Sequence, residues 1–333
     1  MPDRVLMVVS IDTEEDNWYR SRERVTCENI HELERQATFF DRLGVRPTYF
    51  TTYQVAMAPA AAGVIRDVGA RGEIAAHLHP WNTPPLTEAF TPHNSMLKNL
   101  PEALQRAKLQ TLTAALQEVS GAQPRAFRGG RYGLGSNTVA ALLECGFEVD
   151  SSITPFVSWE EFDDGPSFVG APLDVYRLAP GRDVTQPAAG GEIVEIPLSC
   201  GFNRNPFRVW GRVRRALDAA ALRPLHLAGI AARTGLCKRI VLSPELASAA
   251  EMLTLSRRLL ERGVRHLQLT WHSPSLLPGL GPFTLTPADV QRLYAAVEDY
   301  LDRLSSITPF TFVTVSEAAA LLANPLRPEP VAC

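Results

Sequence analysis

Val5-Leu6-Met7-Val8-Val9-Ser10-Ile11-Asp12-Thr13-Glu14-Glu15-Asp16 is the stretch on which the reading of the fold turns. Residues 4–11 form a nearly unbroken apolar run. A run without alternation marks a strand covered on both faces, the usual state of a strand in a parallel sheet. It is too short, and too free of a small-residue cleavage site, to read as a signal peptide. The run passes straight into acid. If the strand continues, Asp12 and Glu14 point to one side, because side chains alternate with period two. Two carboxylates on one side can divide labour, one binding a cation and the other accepting a proton. A solvated acidic turn is the competing reading.

Outward from this strand, the chain alternates. Ile30, Leu33, Ala37, Phe40 and Leu43 recur at helical spacing, and Gly44 ends that helix. Further strands are expected over 48–53, 73–77, 125–128, 147–151, 239–242, 265–271 and 310–315. Helices are expected over 58–70, from Pro101 to Gly121, from a Ser136 cap to Gly146, and over 245–262, 287–304 and 316–323. The middle, 153–235, is rich in Gly and Pro. It reads as an irregular insertion holding a hairpin, with Ile193-Val194-Glu195-Ile196 as one strand. Repeated β-α order implies a mainly parallel sheet with right-handed crossovers. So many units favour a distorted (β/α) barrel of about seven parallel strands over an open sheet. Residues 1–323 are expected to form one such α/β domain, and 324–333, with three prolines, a loose tail.

Composition narrows the function. The 333 residues are 45% apolar and 21% charged, which supports a large core and excludes global disorder. A formal net charge of −3 gives no overall field for nucleic acid or an anionic membrane. No apolar stretch approaches the roughly 20 residues of a membrane span. Cys27, Cys145, Cys200, Cys237 and Cys333 include no C-x-x-C pair, so a zinc ribbon or disulfide framework is not expected. A cytoplasmic location fits this usage.

Three more strand ends carry unusual residues, and in a parallel barrel those ends line the active site. His77-Leu78-His79-Pro80-Trp81 puts two imidazoles on one side of an extended segment, where they can hold one divalent ion. His93, in the loop that follows, is a further possible ligand. Phe127-Arg128-Gly129-Gly130-Arg131-Tyr132-Gly133 offers glycines for close backbone approach and N–H groups for an oxyanion. Arg128 could pair with a strand-end carboxylate and fix its charge. The stretch lacks both G-x-x-x-x-G-K-[ST] and G-x-G-x-x-G, so nucleotide binding is discounted. Leu267-Gln268-Leu269-Thr270-Trp271-His272-Ser273 delivers a histidine suited to acid-base work near neutral pH. Asp150, at another strand end, is its expected orienting partner. Trp81, Trp159, Phe162, Trp210 and Trp271 are available for stacking on a flat ligand face, although buried core is the more frequent fate of Trp and Phe.

In this order the four elements resemble the polysaccharide deacetylase family, the NodB-homology carbohydrate esterases, from about Val5 to about Ser316. The opening D-x-[DE] form is similar to the branch with peptidoglycan deacetylase-like and allantoinase-like proteins. The H-x-H-P-W variant looks like a subgroup linked to exopolysaccharide and lipopolysaccharide biosynthesis. The resemblance implies a NodB-like barrel that holds a divalent metal ion, with Zn2+ the expected one. Asp12 then takes the place of the catalytic base, and Arg128 that of the arginine paired with it. Glu14 takes the acidic metal position, which Glu15 or Asp16 could also fill. His77 and His79 become the metal histidines, although the family usually spaces this pair four apart. Tyr132 stands near the oxyanion N–H, Asp150 at the fourth-motif aspartate, and His272 with Ser273 at the final His-Ser motif.

The implied activity is metal-dependent hydrolysis of an N-acetyl or O-acetyl group on a sugar of a cell-surface polysaccharide or its precursor. The partners expected are an acetylated sugar or glycan, with no nucleic acid and no membrane span. Two alternatives remain open: a C–N hydrolase of a small cyclic amide, and an inactive glycan-binding barrel. Asp12 and His272 lie far apart in sequence, so a shared site requires one barrel rather than two halves.

Overall fold

A computed structural model describes residues 4–20, 24–218 and 226–323. The expected tail, 324–333, lies outside the described residues. In chain order the strands are β1 (Val5–Thr13), β2 (Thr48–Thr51), β3 (Glu73–Leu78), β4 (Ala126–Gly129), β5 (Val149–Asp150), β6 (Tyr176–Leu178), β7 (Ile193–Glu195), β8 (Cys200–Phe202), β9 (Arg239–Val241), β10 (His266–His272) and β11 (Phe310–Val313). The helices are α1 (Glu32–Leu43), α2 (Tyr53–Met57), α3 (Ala62–Arg71), α4 (Glu102–Ser120), α5 (Ser136–Glu144), α6 (Phe207–Asp218), α7 (Leu227–Arg233), α8 (Ala249–Leu260), α9 (Pro287–Ser305) and α10 (Val315–Ala323).

Seven strands run parallel in the order β10-β1-β2-β3-β4-β5-β7, and β6 adds an antiparallel edge to β7. The strand around Ile193 therefore does sit in a hairpin, with β6 as its partner. One edge of β1 meets β10 along its length; the other is shared by β11 on Val5–Val8 and β2 on Ser10–Thr13. The gap between β7 and β10 is bridged by segments beside the β8–β9 hairpin. Ser199 Oγ accepts from Gln268 N at 2.9 Å, and Leu242 O accepts from Thr270 N at 3.0 Å. The result is a distorted (β/α) barrel.

Side-chain parity builds the interior in layers. At the base Leu6, Val8, Phe50, Ala75, Ala126, Val149 and Val194 pack together, with Val315, Ala318 and Ala319 of α10 closing the floor. Above them lies a buried polar layer of Ser10, Arg128, Ser151 and Gln268. Above that, at the C-terminal strand ends, stand the carboxylates and histidines. The opposite parity of β1 (Val5, Met7, Val9, Ile11) packs outward against the helices. All nine residues of β1 are buried, as a continuous apolar run requires.

Local chemistry explains most element ends. Gly44 closes α1 in the left-handed region at φ 69°. Ser248 and Glu251 form a reciprocal cap, so α8 starts at Ala249 rather than 245. The helix expected over 58–70 is α3, Ala62–Arg71, and a short helix not expected from the sequence, α2, precedes it. Thr52 caps a short α2 by accepting from Val55 N, which also ends the preceding strand at Thr51. Gly135, not Ser136, is the N-cap of α5.

Candidate metal and catalytic site

Arg128 is the first piece to place, because it organises the others. It is fully buried and its guanidinium lies 4.1 Å over the Phe50 ring. Nε donates to Ser151 O at 2.9 Å. NH1 donates to Asp12 Oδ1 at 2.5 Å and to Thr270 Oγ1 at 3.2 Å. NH2 donates to Ser10 Oγ at 3.1 Å and Ser151 Oγ at 3.2 Å. Every donor of the fork is used, so a buried charge that would otherwise be costly is neutralised. One oxygen of Asp12 is thereby committed to Arg128. The other, Oδ2, lies 3.9 Å from His272 Nε2.

Beside Asp12 the three proposed ligands converge. Glu14 Oε1 is 3.0 Å from His77 Nε2 and 3.2 Å from His79 Nε2. Single atoms from all three lie within 4.8 Å of one another, and all three side chains are buried. Glu14 Oε2 is buried with no hydrogen-bond partner among the described residues, although an ionised carboxylate has ample acceptor capacity to fill. Burial raises the Glu14 pKa. The hydrogen bonds from His77 and His79, with the charges of His272 and His79, outweigh it and hold the carboxyl well below its ordinary value. An ionised carboxylate and two imidazoles with an orphaned oxygen form a donor set that fits a divalent ion such as Zn2+.

The neighbours of these ligands fix their direction. His77 Nδ1 bonds to Arg128 O at 3.0 Å, leaving Nε2 for the centre. His79 Nδ1 faces Glu15 Oε1 at 3.2 Å. Glu15 is held in turn by Thr52 Oγ1 at 2.9 Å and by the Asn82 amide. Burial lowers the His79 pKa, but Glu15 and Glu14 more than reverse this and push it up to about 9. Asp16 accepts from the backbone of Glu28 and Asn29 and caps the turn at Glu28–His31. Among the three acids that could serve as ligand, Glu14 is thus the one that meets both histidines; Glu15 orients and Asp16 caps. Ser273 Oγ accepts from Glu14 N at 3.0 Å and ties the end of β10 to the acidic turn. Gly130 lies so close to His79 that a Cβ there would sit 2.3 Å from its Cδ2. Trp81 stacks on the His79 ring at 4.3 Å.

His272 is oriented by a residue that sequence reasoning missed. Its Nδ1 lies 2.8 Å from Glu245 Oε2, and its backbone N donates to Glu245 Oε1 at 3.0 Å. Burial lowers its pKa, while Glu245, Glu14 and Asp12 together raise it to about 10. Trp18 at 6.2 Å and Phe283 at 5.3 Å stack on the ring.

The expected partner, Asp150, is not there. In β4 and β5, Phe127 pairs with Asp150, so Arg128 and Asp150 have opposite parity. Asp150 faces the outer layer, accepts from Ser152 Oγ at 2.8 Å, and sits opposite Glu195 of β7. Burial raises both pKa values, and the neighbouring Asp150 charge drives Glu195 well above its usual value. The pair lies away from the barrel interior. His93 is also elsewhere, exposed and 2.9 Å from Asp164. Tyr132 stands at the mouth, where Arg131 and Tyr132 both adopt positive φ (53° and 58°). Its ring stacks on Trp159, and burial with the nearby Asp12 charge pushes its phenol up. Trp271 is core.

The molecule is thus a parallel (β/α) barrel with a carboxylate–dihistidine cluster beside Asp12 and His272 at one rim. Solved structures share that fold. A candidate polysaccharide deacetylase from Mycobacterium smegmatis aligns over 99% of this chain and 96% of its own, with TM-score 0.56 and 18% identity. A candidate glycoside hydrolase/deacetylase from Parabacteroides distasonis aligns over 98% and 74%, with TM-score 0.59 and 12% identity. No family model and no curated protein sequence matches the chain.

Proposed function

We propose that this protein is a divalent-metal-dependent hydrolase that removes an acetyl group from a sugar, as the sequence resemblance implies. The observation that carries the reading is the pairing of Asp12 and His272 beside Glu14, His77 and His79, each group held by its own counter-charge. A divalent ion held by those three ligands supplies Lewis acidity toward a carbonyl oxygen and lowers the pKa of a water. Asp12 accepts the proton of the attacking water on Oδ2, the oxygen left free by Arg128. Arg128 holds Asp12 in position for that task through Oδ1. His272, held protonated by Glu245, gives its Nε2 proton to the departing amine or alcohol. Trp18, Trp81 and Phe283 form apolar walls on which a sugar face can stack.

The names of the two fold relatives agree with this reading. We further propose that the substrate is a cell-surface polysaccharide or its biosynthetic precursor. Acetate release from a panel of N- and O-acetylated glycans tests the activity. Asp12→Asn and His272→Ala should each cost about 10²–10⁴-fold in turnover with the fold intact. Ring opening of a cyclic amide without acetate would replace the reading. Elemental analysis should find one equivalent of divalent ion, lost in His77→Ala.

A further inference from the structure

Away from the rim, a hairpin of the inserted region connects two different surroundings. Phe168 N bonds Val157 O at 2.8 Å and Trp159 N bonds Pro166 O at 2.9 Å, so residues 156–168 fold back on themselves. Trp159 reaches Tyr132 at the rim. Phe156, at the other end, packs edge-on against Phe202 at 5.4 Å and Phe207 at 5.8 Å. It does so with φ at 67°, a conformation a bulky residue adopts only when its surroundings enforce it.

The strained Phe156 borders a cavity of about 320 Å³. Its other lining residues are Val169, Gly170, Gly211 and three arginines, Arg208, Arg212 and Arg215. The arginines follow the spacing i, i+4, i+7 on α6, so they form one stripe of the helix. All three are exposed, and none has a carboxylate partner among the described residues. Their neighbour Arg214, by contrast, is paired with Asp218 at 2.6 Å. Three like charges along one stripe repel one another unless an anion joins them. The volume lies at the low end for small-molecule sites. A second cavity shares Phe156, Val169, Gly211 and Arg215 and runs on along the hairpin, where Glu160, Glu161 and Asp218 line it and set the acidic limit of the arginine stripe.

We propose that this cavity is a binding site for a phosphate-class oxyanion, clasped by Arg208, Arg212 and Arg215 over the floor made by Phe156. A dianionic tetrahedral group suits three guanidinium forks better than a single planar carboxylate does, since it offers more acceptor oxygens and more charge. The site shares no residue with the Glu14–His77–His79 cluster and does not depend on hydrolysis. The anion could belong to a soluble phosphorylated ligand or to a phospholipid headgroup.

The experiment uses the full chain freed of metal by chelation, so that phosphate cannot bind an ion at the rim. Calorimetric titration with inorganic phosphate is run at constant ionic strength for wild type, R208Q/R212Q/R215Q and H77A. Cosedimentation with phosphatidylcholine vesicles, with and without phosphatidic acid, is run on the same proteins. Wild type and H77A should bind alike, and the triple variant should bind about tenfold or more weakly while keeping its thermal midpoint. Binding to free phosphate assigns a soluble ligand, and binding only to phosphatidic acid vesicles assigns the headgroup. Binding to neither overturns the proposal, as does equal binding by the triple variant. If the triple variant does not fold, the single variants R208Q and R212Q carry the comparison.

Discussion

At the scale of single residues, the site is a set of charges each assigned a neighbour. Asp12 has Arg128, His79 has Glu15 and His272 has Glu245. The pKa of His272, at about 10, is raised from its ordinary value chiefly by Glu245. Its proton is therefore retained through neutral pH, and activity that needs it should fall only as pH climbs toward that value. Glu245→Gln keeps a hydrogen-bond partner but removes the charge. The alkaline limb of the rate profile should then move down by about 1–3 pH units, the span an opposite charge at contact exerts. An unmoved limb would show that His272 is not the titrating acid. The Asp150–Glu195 pair shifts in the same direction. Its raised pKa values mean that the folded chain holds a proton the unfolded chain has lost, so stability falls as pH rises above the ordinary glutamate value. Glu195→Gln should flatten that fall, as urea unfolding between acid and mildly alkaline pH would reveal. Asp12, Glu14, His77, His79, Arg128 and His272 were legible because each follows an apolar strand with the right parity. Glu245 was hidden in Ser243-Pro244-Glu245, which reads as the start of a helix. Asp150 was misassigned because the strand expected over 147–151 is only Val149–Asp150, and its register against β4 pairs Asp150 with Phe127 and turns it away from Arg128.

At the scale of elements, the loop after β3 is held by a buried cation. Lys108 of α4 donates from Nζ to Pro80 O at 2.9 Å, Thr83 O at 2.7 Å and Pro85 O at 2.8 Å, and pairs with Glu88 at 3.0 Å. The side chain is completely buried. That loop carries Trp81 and Asn82, which flank His79 and its orienting Glu15. Lys108→Met strips a charge from Glu88 and donors from three carbonyls. It should cost about 3–5 kcal/mol of stability by denaturant titration, as breaking a buried pair does. A cost below about 1 kcal/mol would mean that the loop repacks freely. The sequence shows an amphipathic helix here but cannot show the lysine pointing inward, because carbonyl ligands leave no mark in composition. The short α2 was equally invisible: Tyr53 reads as the end of the β-rich run 48–53, and only the Thr52 cap turns Tyr53–Met57 into a helix ahead of α3.

At the scale of the whole molecule, the barrel is organised around β1. Among the described residues it is the one strand with three partners, and all its residues are buried. Amides from Val5 to Thr13 should therefore be among the slowest to exchange with deuterated solvent, opening only on global unfolding. The outer α6–α7 region should exchange earlier. Comparable rates in both would show that the sheet does not unfold as one unit. Alternating strand and helix signals made the parallel barrel legible. What closes it, the contacts of Ser199 and Leu242 with β10, rests on single hydrogen bonds that no periodicity announces.

The pairing of β1 with β10 also has a meaning in time. Ser273, whose hydroxyl holds the backbone of Glu14, lies 259 positions from it. During synthesis the acidic turn is made long before the strand that secures it and supplies His272. Its central strand must wait for a neighbour, with an apolar edge open to wrong partners. A nascent or truncated chain would carry the ligands of the centre but not its acid. Competence should therefore arrive all at once, when β10 docks, and the slow docking of that late strand is where a chaperone could act to greatest effect.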